Sequence, residues 1–154
     1  MVENNKFEKS FGPVGTSAGV VLFVAGLILT YFQVTGLILI IIGAFVGFSN
    51  TSTLIDYEKK RVKFSNNLFG IIRIGQWYKI EPTMKIGIKE LNLTWRSYSQ
   101  GNRPLDIEKK DYRIILLDSG NKEIMPIKKI NLKDSAKIEL VILGNKLGLS
   151  IKSN

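Results

Sequence analysis

From Ser10 to Ile55 the chain carries no Asp, Glu, Lys or Arg, and this run limits what it can fold into more than any other feature. Two apolar segments, VGTSAGVVLFVAGLILTYF (Val14 to Phe32) and GLILIIIGAFVGF (Gly36 to Phe48), flank the polar interruption Gln33-Val34-Thr35. As one helix, at roughly 1.5 Å per residue, the run would be about twice the roughly 30 Å hydrocarbon core of a bilayer, whereas two helices match it. The expectation is a polar N-terminal tail over 1–12, a two-helix transmembrane hairpin over 13–52 (helices at about 14–32 and 35–51), and one domain over 53–154. The tail holds nothing that can build a core and is expected to be poorly ordered. Gly12-Pro13 opens the first helix where a missing N–H costs nothing. A cleaved signal peptide competes for the apolar stretch behind Lys6 and Lys9. The length of the run and the second run directly after it argue against that reading.

Orientation follows from the basic residues. The connection between the helices has none, whereas Lys6 and Lys9 precede the first helix and Lys59, Lys60, Arg61 and Lys63 follow the second. By the positive-inside rule both termini face the cytoplasm, giving a multi-pass protein of the inner membrane. In the first fifty residues Lys6 and Lys9 balance Glu3 and Glu8, so the whole formal excess of +9 belongs to the domain that follows. A basic domain held at a bilayer is drawn to anionic headgroups by roughly 1 kcal/mol per basic residue near the surface. The Lys59 to Lys63 cluster therefore either binds headgroups or only sets topology.

Small residues suggest how the helices meet. Gly15, Gly19 and Gly26 on the first, and Gly36, Gly43 and Gly47 on the second, recur at spacings of four and seven, which places each trio on one helix face and lets backbones approach. Closing the hairpin around residues 34 and 35 makes facing positions sum to about 69, setting Gly26 against Gly43 and Leu22 against Gly47. The same faces could instead serve homo-oligomerisation, and a hairpin that packs internally leaves none for neighbours.

Cysteine and histidine are both absent, which excludes disulfides, zinc sites built on them, thiolate nucleophiles and every Ser-His or Cys-His arrangement. No ionisable side chain lies in the hairpin, as proton relays and ion paths normally require. Asp106, Glu108 and Asp111 fall in SQGNRPLDIEKK (Ser99 to Lys110), which reads as the longest loop; among Lys109 and Lys110 they look like a solvated turn rather than a catalytic cluster. The chain is expected to be no enzyme and to hold no cofactor or metal. A membrane tether also makes nucleic acid a poor default for the positive charge.

Beyond Thr53 the pattern turns to strands. Leu54 to Tyr57 and Arg61 to Ser65 flank Glu58-Lys59-Lys60, and Phe69 to Ile74 precedes a Gly75-Gln76 turn and Trp77 to Ile80. Met84, Ile86 and Ile88 alternate with Lys85, Gly87 and Lys89, and Leu91, Leu93 and Trp95 continue the alternation. Tyr112 to Leu117 and Lys122 to Ile127 form a hairpin over Asp118-Ser119-Gly120-Asn121, and Pro126 argues that the second is an edge strand. Residues 134–147 read as strand or helix. Ala136, Leu140, Leu143 and Leu147 on one stripe, Asp134 or Ser135 as cap and Gly148 as stop favour the helix, with Leu149 to Lys152 an extended tail.

About seven antiparallel strands closed by a C-terminal amphipathic helix is the element order of pleckstrin-homology (PH) domains. With the preceding hairpin and the segment IDYEKKRVKFSNNLFGIIRIGQWYKI (Ile55 to Ile80), the chain resembles small bacterial membrane proteins that carry PH-like domains. The resemblance implies a mainly-β bent sandwich, or partly open barrel, plugged at one corner by the helix and used for binding. In some PH domains basic residues of the first hairpin hold inositol phosphates, and Lys59, Lys60, Arg61 and Lys63 occupy the corresponding place. The leading expectation is thus a non-enzymatic adaptor that binds a partner protein at the cytoplasmic face of the membrane, with Trp77, Tyr78, Trp95 and Tyr98 as candidate contacts. The alternative is sensing of anionic membrane lipid by the basic domain.

Overall fold

A computed structural model describes residues 2–98 and 104–152, and in it the apolar hairpin grows out of a pair of strands. Strand β1 (Val2–Lys9) leads into α1 (Gly12–Thr30), a short turn and α2 (Gly36–Phe48), and β2 (Asn50–Asp56) then runs back antiparallel to β1. The N-terminal segment, expected to be poorly ordered, is thus a strand, paired from Val2↔Asp56 to Lys9↔Asn50. Its partner lies some forty residues away, and its mostly polar sequence offers no core face. The long-range ladder orders it, with the Phe7 ring against Phe64 at 6.3 Å.

The chain divides into two compact units, Met1–Asp56 with Arg61–Tyr78, and Tyr57–Lys60 with Lys79–Asn154. In the first, β3 (Arg61–Leu68) follows β2, and both β4 (Ile72–Ile74) and β5 (Trp77–Lys79) pair with β3, giving the order β1-β2-β3-β4. Gly75, between β4 and β5, lies against the Phe64 carbonyl where no Cβ would fit.

Helix α1 is long and apolar enough to cross a membrane, and only 17% of its most apolar window is buried. By length and composition alone it is a candidate span, a test that a signal sequence also passes. Helix α2 is shorter, reaching roughly 20 Å at 1.5 Å per residue, and it stops at Phe48 because Ser49 turns extended (ψ 138°) and Asn50 begins the ladder. The outward side chains of both helices, among them Val21, Ile28, Ile38 and Ile41, are exposed and apolar.

The second unit holds β6 (Lys85–Tyr98), β7 (Pro104–Leu117), β8 (Glu123–Ile130), α3 (Lys133–Leu147) and β9 (Ser150–Ile151), in the sheet order β8-β7-β6-β9. All pairings are antiparallel except β6 with β9. Strands β6 and β7 stay in register from Lys85↔Leu117 to Tyr98↔Pro104. The stretch expected as the longest loop is therefore strand from Pro104 onward, its charges carried on a ladder, and 99–103 lie outside the described residues. Pro126 sits in the edge strand β8, opposite Ile115 and beside a register shift, where a missing N–H is tolerated.

Residues 133–147 are helical. Ala136, Leu140, Leu143 and Leu147 are buried, and Ile86, Ile114, Leu116 and Ile127 form the fully enclosed centre of the sheet. Gly148 ends α3 in the left-handed region (φ +69°) as a C-terminal glycine should, whereas Leu132 occupies the N-cap and neither Asp134 nor Ser135 caps the start.

Candidate functional site

The helix packing depends on glycine. A Cβ on Gly19 would collide with the Gly47 backbone, one on Gly43 with the Phe23 backbone, and one on Gly36 with Thr30; on Gly26 it would lie 2.7 Å from the Ile40 nitrogen. Gly47 is slightly less crowded, 3.1 Å from the Val20 nitrogen, and Gly15 faces Phe11 rather than α2. Facing numbers therefore add to 66 rather than 69: Gly19 meets Gly47 and Phe23 meets Gly43, while neither Gly26 with Gly43 nor Leu22 with Gly47 is a facing pair. The offset arises because α1 ends at Thr30, so that Tyr31 and Phe32 join the turn and centre it on Gln33. Thr30 Oγ1 donates to the Gly26 carbonyl (2.7 Å), which leaves no unmet hydroxyl there.

Where the hairpin joins the sheet, polar groups are buried and bonded to one another. Asn67 Nδ2 donates to Asn50 Oδ1 (2.8 Å) and Ser52 Oγ (3.0 Å), and the Ser52 and Ser65 hydroxyls lie 3.2 Å apart. Ser49, Ser52, Ser65 and Asn67 are all buried, a placement that is tolerable because the last three satisfy one another and Ser49 accepts from the Phe69 N–H. The side chains belong to the pairs Asn50↔Asn67 and Ser52↔Ser65, so a one-residue slip would break the whole set. Carbonyls at the end of α2 also find donors: Asn50 Nδ2 reaches Phe48 O (3.2 Å), and Lys9 Nζ approaches Gly47 O (3.5 Å) with the charge that a helix C-terminus favours.

The turn between β3 and β4 lies at this same end. Phe69 (φ +54°) and Gly70 (φ +72°) are both left-handed, and Ile71 N–H donates to Leu68 O (3.1 Å). A bulky residue is rarely found in that region. Here Phe69 N–H donates to Ser49 Oγ (3.1 Å), and its ring packs on Phe45 at 5.6 Å.

At the opposite end of the ladder, Asp56 pairs with Arg61, whose Nε donates to the carboxylate at 3.0 Å while its guanidinium stands over the Trp77 ring at 4.3 Å. Lys59 and Lys60 occupy the β2–β3 turn, Lys60 with φ +44°, and Lys63 pairs opposite Leu54. The four basic residues are thus split between a turn and a strand rather than gathered round one ligand position. Within the second unit, Lys146 Nζ lies 5.7 Å from the Tyr57 ring centre.

Trp77 and Tyr78 stand on β5, and all six residues of β4 and β5 are exposed. Among the described residues no further strand pairs with them. Trp95 and Tyr98 belong to β6, but their side chains lie outside the described residues, as do those of Asp106 and Glu108. Asp111 is fully buried, with Lys129 Nζ 2.7 Å from its carboxylate, which places it in an ion pair within the sheet. Among the described residues no group of three His, Cys, Asp or Glu could hold a metal.

Sequence reasoning missed the exposed Ile71, Ile72 and Ile74 beside the aromatics. The available signal was the uncharged run over 64–72, the longest beyond the hairpin. No protein-family model, curated protein or solved structure matches this chain.

Proposed function

We propose that this protein is a non-enzymatic binding module anchored by a two-helix membrane hairpin, with both ends on the cytoplasmic side and a PH-like domain formed by β2–β8 and α3. It receives an extended segment of a partner protein along the β4–β5 edge. The observation that carries this reading is the edge itself: Ile72 and Ile74 on β4 and Trp77 and Tyr78 on β5 are all exposed, and among the described residues no strand other than β3 pairs with either. The edge is short and carries Arg73 and Lys79, which discourage indiscriminate pairing, while exposed Ile72, Ile74, Trp77 and Tyr78 offer apolar contacts to a strand added there, with backbone bonds giving affinity and alternate side chains selectivity. The return of β2 onto β1 supports both ends lying on one side of the bilayer.

Sensing of anionic lipid by Lys59 to Lys63 has the basic charge in its favour. It has distance against it, since roughly 20 Å of extended strand separates Asn50 from Asp56 and exposed charges are screened over about 10 Å at 0.1 M salt.

The test is purification of the full chain in lipid nanodiscs, followed by mass spectrometry of what accompanies it. A stoichiometric protein, lost on Ile72→Lys with Tyr78→Lys while the fold is retained, is the expected result. A companion that survives this change overturns the edge as its site. Anionic lipid alone transfers the function to headgroup sensing.

A further inference from the structure

The β3–β4 turn carries an apolar tip that the partner-binding edge does not require. Its position is set by contacts to the hairpin: Phe69 N–H bonds to Ser49 Oγ, and the Phe69 ring packs on Phe45, which in turn packs on Phe11 (5.4 Å). A Cβ on Gly70 would lie 3.2 Å from the Phe48 carbonyl at the last turn of α2. The tip is thus continuous with the exposed apolar surface of the helices at the point where α2 gives way to the sheet. Its outermost side chain, Ile71, is 81% exposed, and Ile72 beside it is 54% exposed. Residues 64–72 carry no charge, and Arg73 is the first charge after them. Contacts to Ser49 and Phe45 hold Phe69 at positive φ, and the turn so fixed presents Ile71 to solvent, a strained arrangement that persists only where its surroundings enforce it.

We propose that the tip, Phe69 to Ile71, is a third point of membrane contact. It inserts Ile71 into the boundary between headgroups and acyl chains, in the leaflet from which α2 emerges, while Arg73 remains at headgroup level. Its occupant is lipid, because the tip extends the same apolar surface that the helices present. The inference rests on the reading of the hairpin as a membrane anchor. It moves the lipid-facing part of the sheet from the basic Lys59 to Lys63 end to the uncharged end.

The chain has no cysteine, so single cysteines can report directly. Ile71→Cys, Val24→Cys on the exposed side of α1 and Val2→Cys at the far end of the same sheet, opposite Asp56, each receive an environment-sensitive fluorophore. The full-length protein is then reconstituted in phosphatidylcholine/phosphatidylglycerol vesicles with or without lipids spin-labelled at shallow or deep positions. The expected result is blue-shifted emission at both Ile71 and Val24, with Ile71 quenched several-fold more strongly by the shallow label than by the deep one, and no response at Val2. A lipid signal at Val24 with Ile71 behaving like Val2 overturns the inference and leaves the anchor standing. An aqueous signal at Val24 removes the anchor and the inference together. Shielding of Ile71 without lipid quenching means that protein covers the tip, and it also overturns the proposal. Ile71 makes no buried contact, so its replacement leaves the fold intact to be measured.

Discussion

The two ends of the first sheet are built from opposite materials. At the helix end, Ser52, Ser65 and Asn67 are uncharged, buried and bonded to one another, with half-buried Asn50 joined to Asn67 and buried Ser49 holding the Phe69-Gly70 turn above them. At the other end, Lys59 and Lys60 are exposed beside the ion pair of buried Asp56 with Arg61, whose guanidinium lies over Trp77. The difference teaches which end is specified by its interior and which by its surroundings. Unmet groups at the first would cost the full price of burial, whereas the exposed Lys59 and Lys60 at the second are screened and replaceable.

The largest break comes from the glycines behind the helix end. Gly43→Leu drives a side chain into the Phe23 backbone; overpacking of this kind costs about 1–3 kcal/mol or more, and a melt in detergent should show a large loss of folded protein. The register can be sharpened by crosslinking. Val20→Cys with Gly47→Cys should form a disulfide in preference to Leu22→Cys with Gly47→Cys, since Gly47 lies against Val20. Next comes Asn67→Leu, which strips Asn50 and Ser52 of their shared donor and should lower stability by about 1–3 kcal/mol in urea unfolding. At the turn, Phe69→Ala should be less stable than Phe69→Gly by about 1–2 kcal/mol, because both lose the ring contact but only alanine keeps the penalty of positive φ. The smallest effect belongs to the charged end: Lys59→Gln with Lys60→Gln should change stability by no more than about 0.5 kcal/mol. Enrichment of anionic lipid around this variant in nanodiscs should fall by less than about twofold, and a large loss would restore the headgroup role of that turn.

Several elements were legible because their information is local. The apolar runs gave both helices, alternation around Ile86 gave β6, and the stripe from Ala136 to Leu147 gave α3. Strand β1 was hidden because its order comes from a partner on the far side of the hairpin. The start of β7 was hidden because Pro104 and the charges after it resemble a turn when their cross-strand partners are unseen. The glycine faces were visible but their register was not, since two aromatic residues could as well have ended the helix as begun the turn. In the candidate site, Trp77 and Tyr78 could be named from residue type alone. The edge on which they stand depends on which strands go unpaired, a property of topology.

Because β1 is translated before α1 and α2 while its partner β2 comes after them, the first sheet has a built-in waiting time. At roughly 5–20 residues per second, the forty or so residues between Lys9 and Asn50 take about 2–8 s to synthesise, against microseconds for an ordinary β-hairpin. Throughout that interval residues 2–9 have no β2 to order them, and the charges of Glu3, Lys6, Glu8 and Lys9 disfavour pairing with another chain. The ladder then closes only on a chain whose helices have already been made, so the sheet acts as a latch on a completed hairpin.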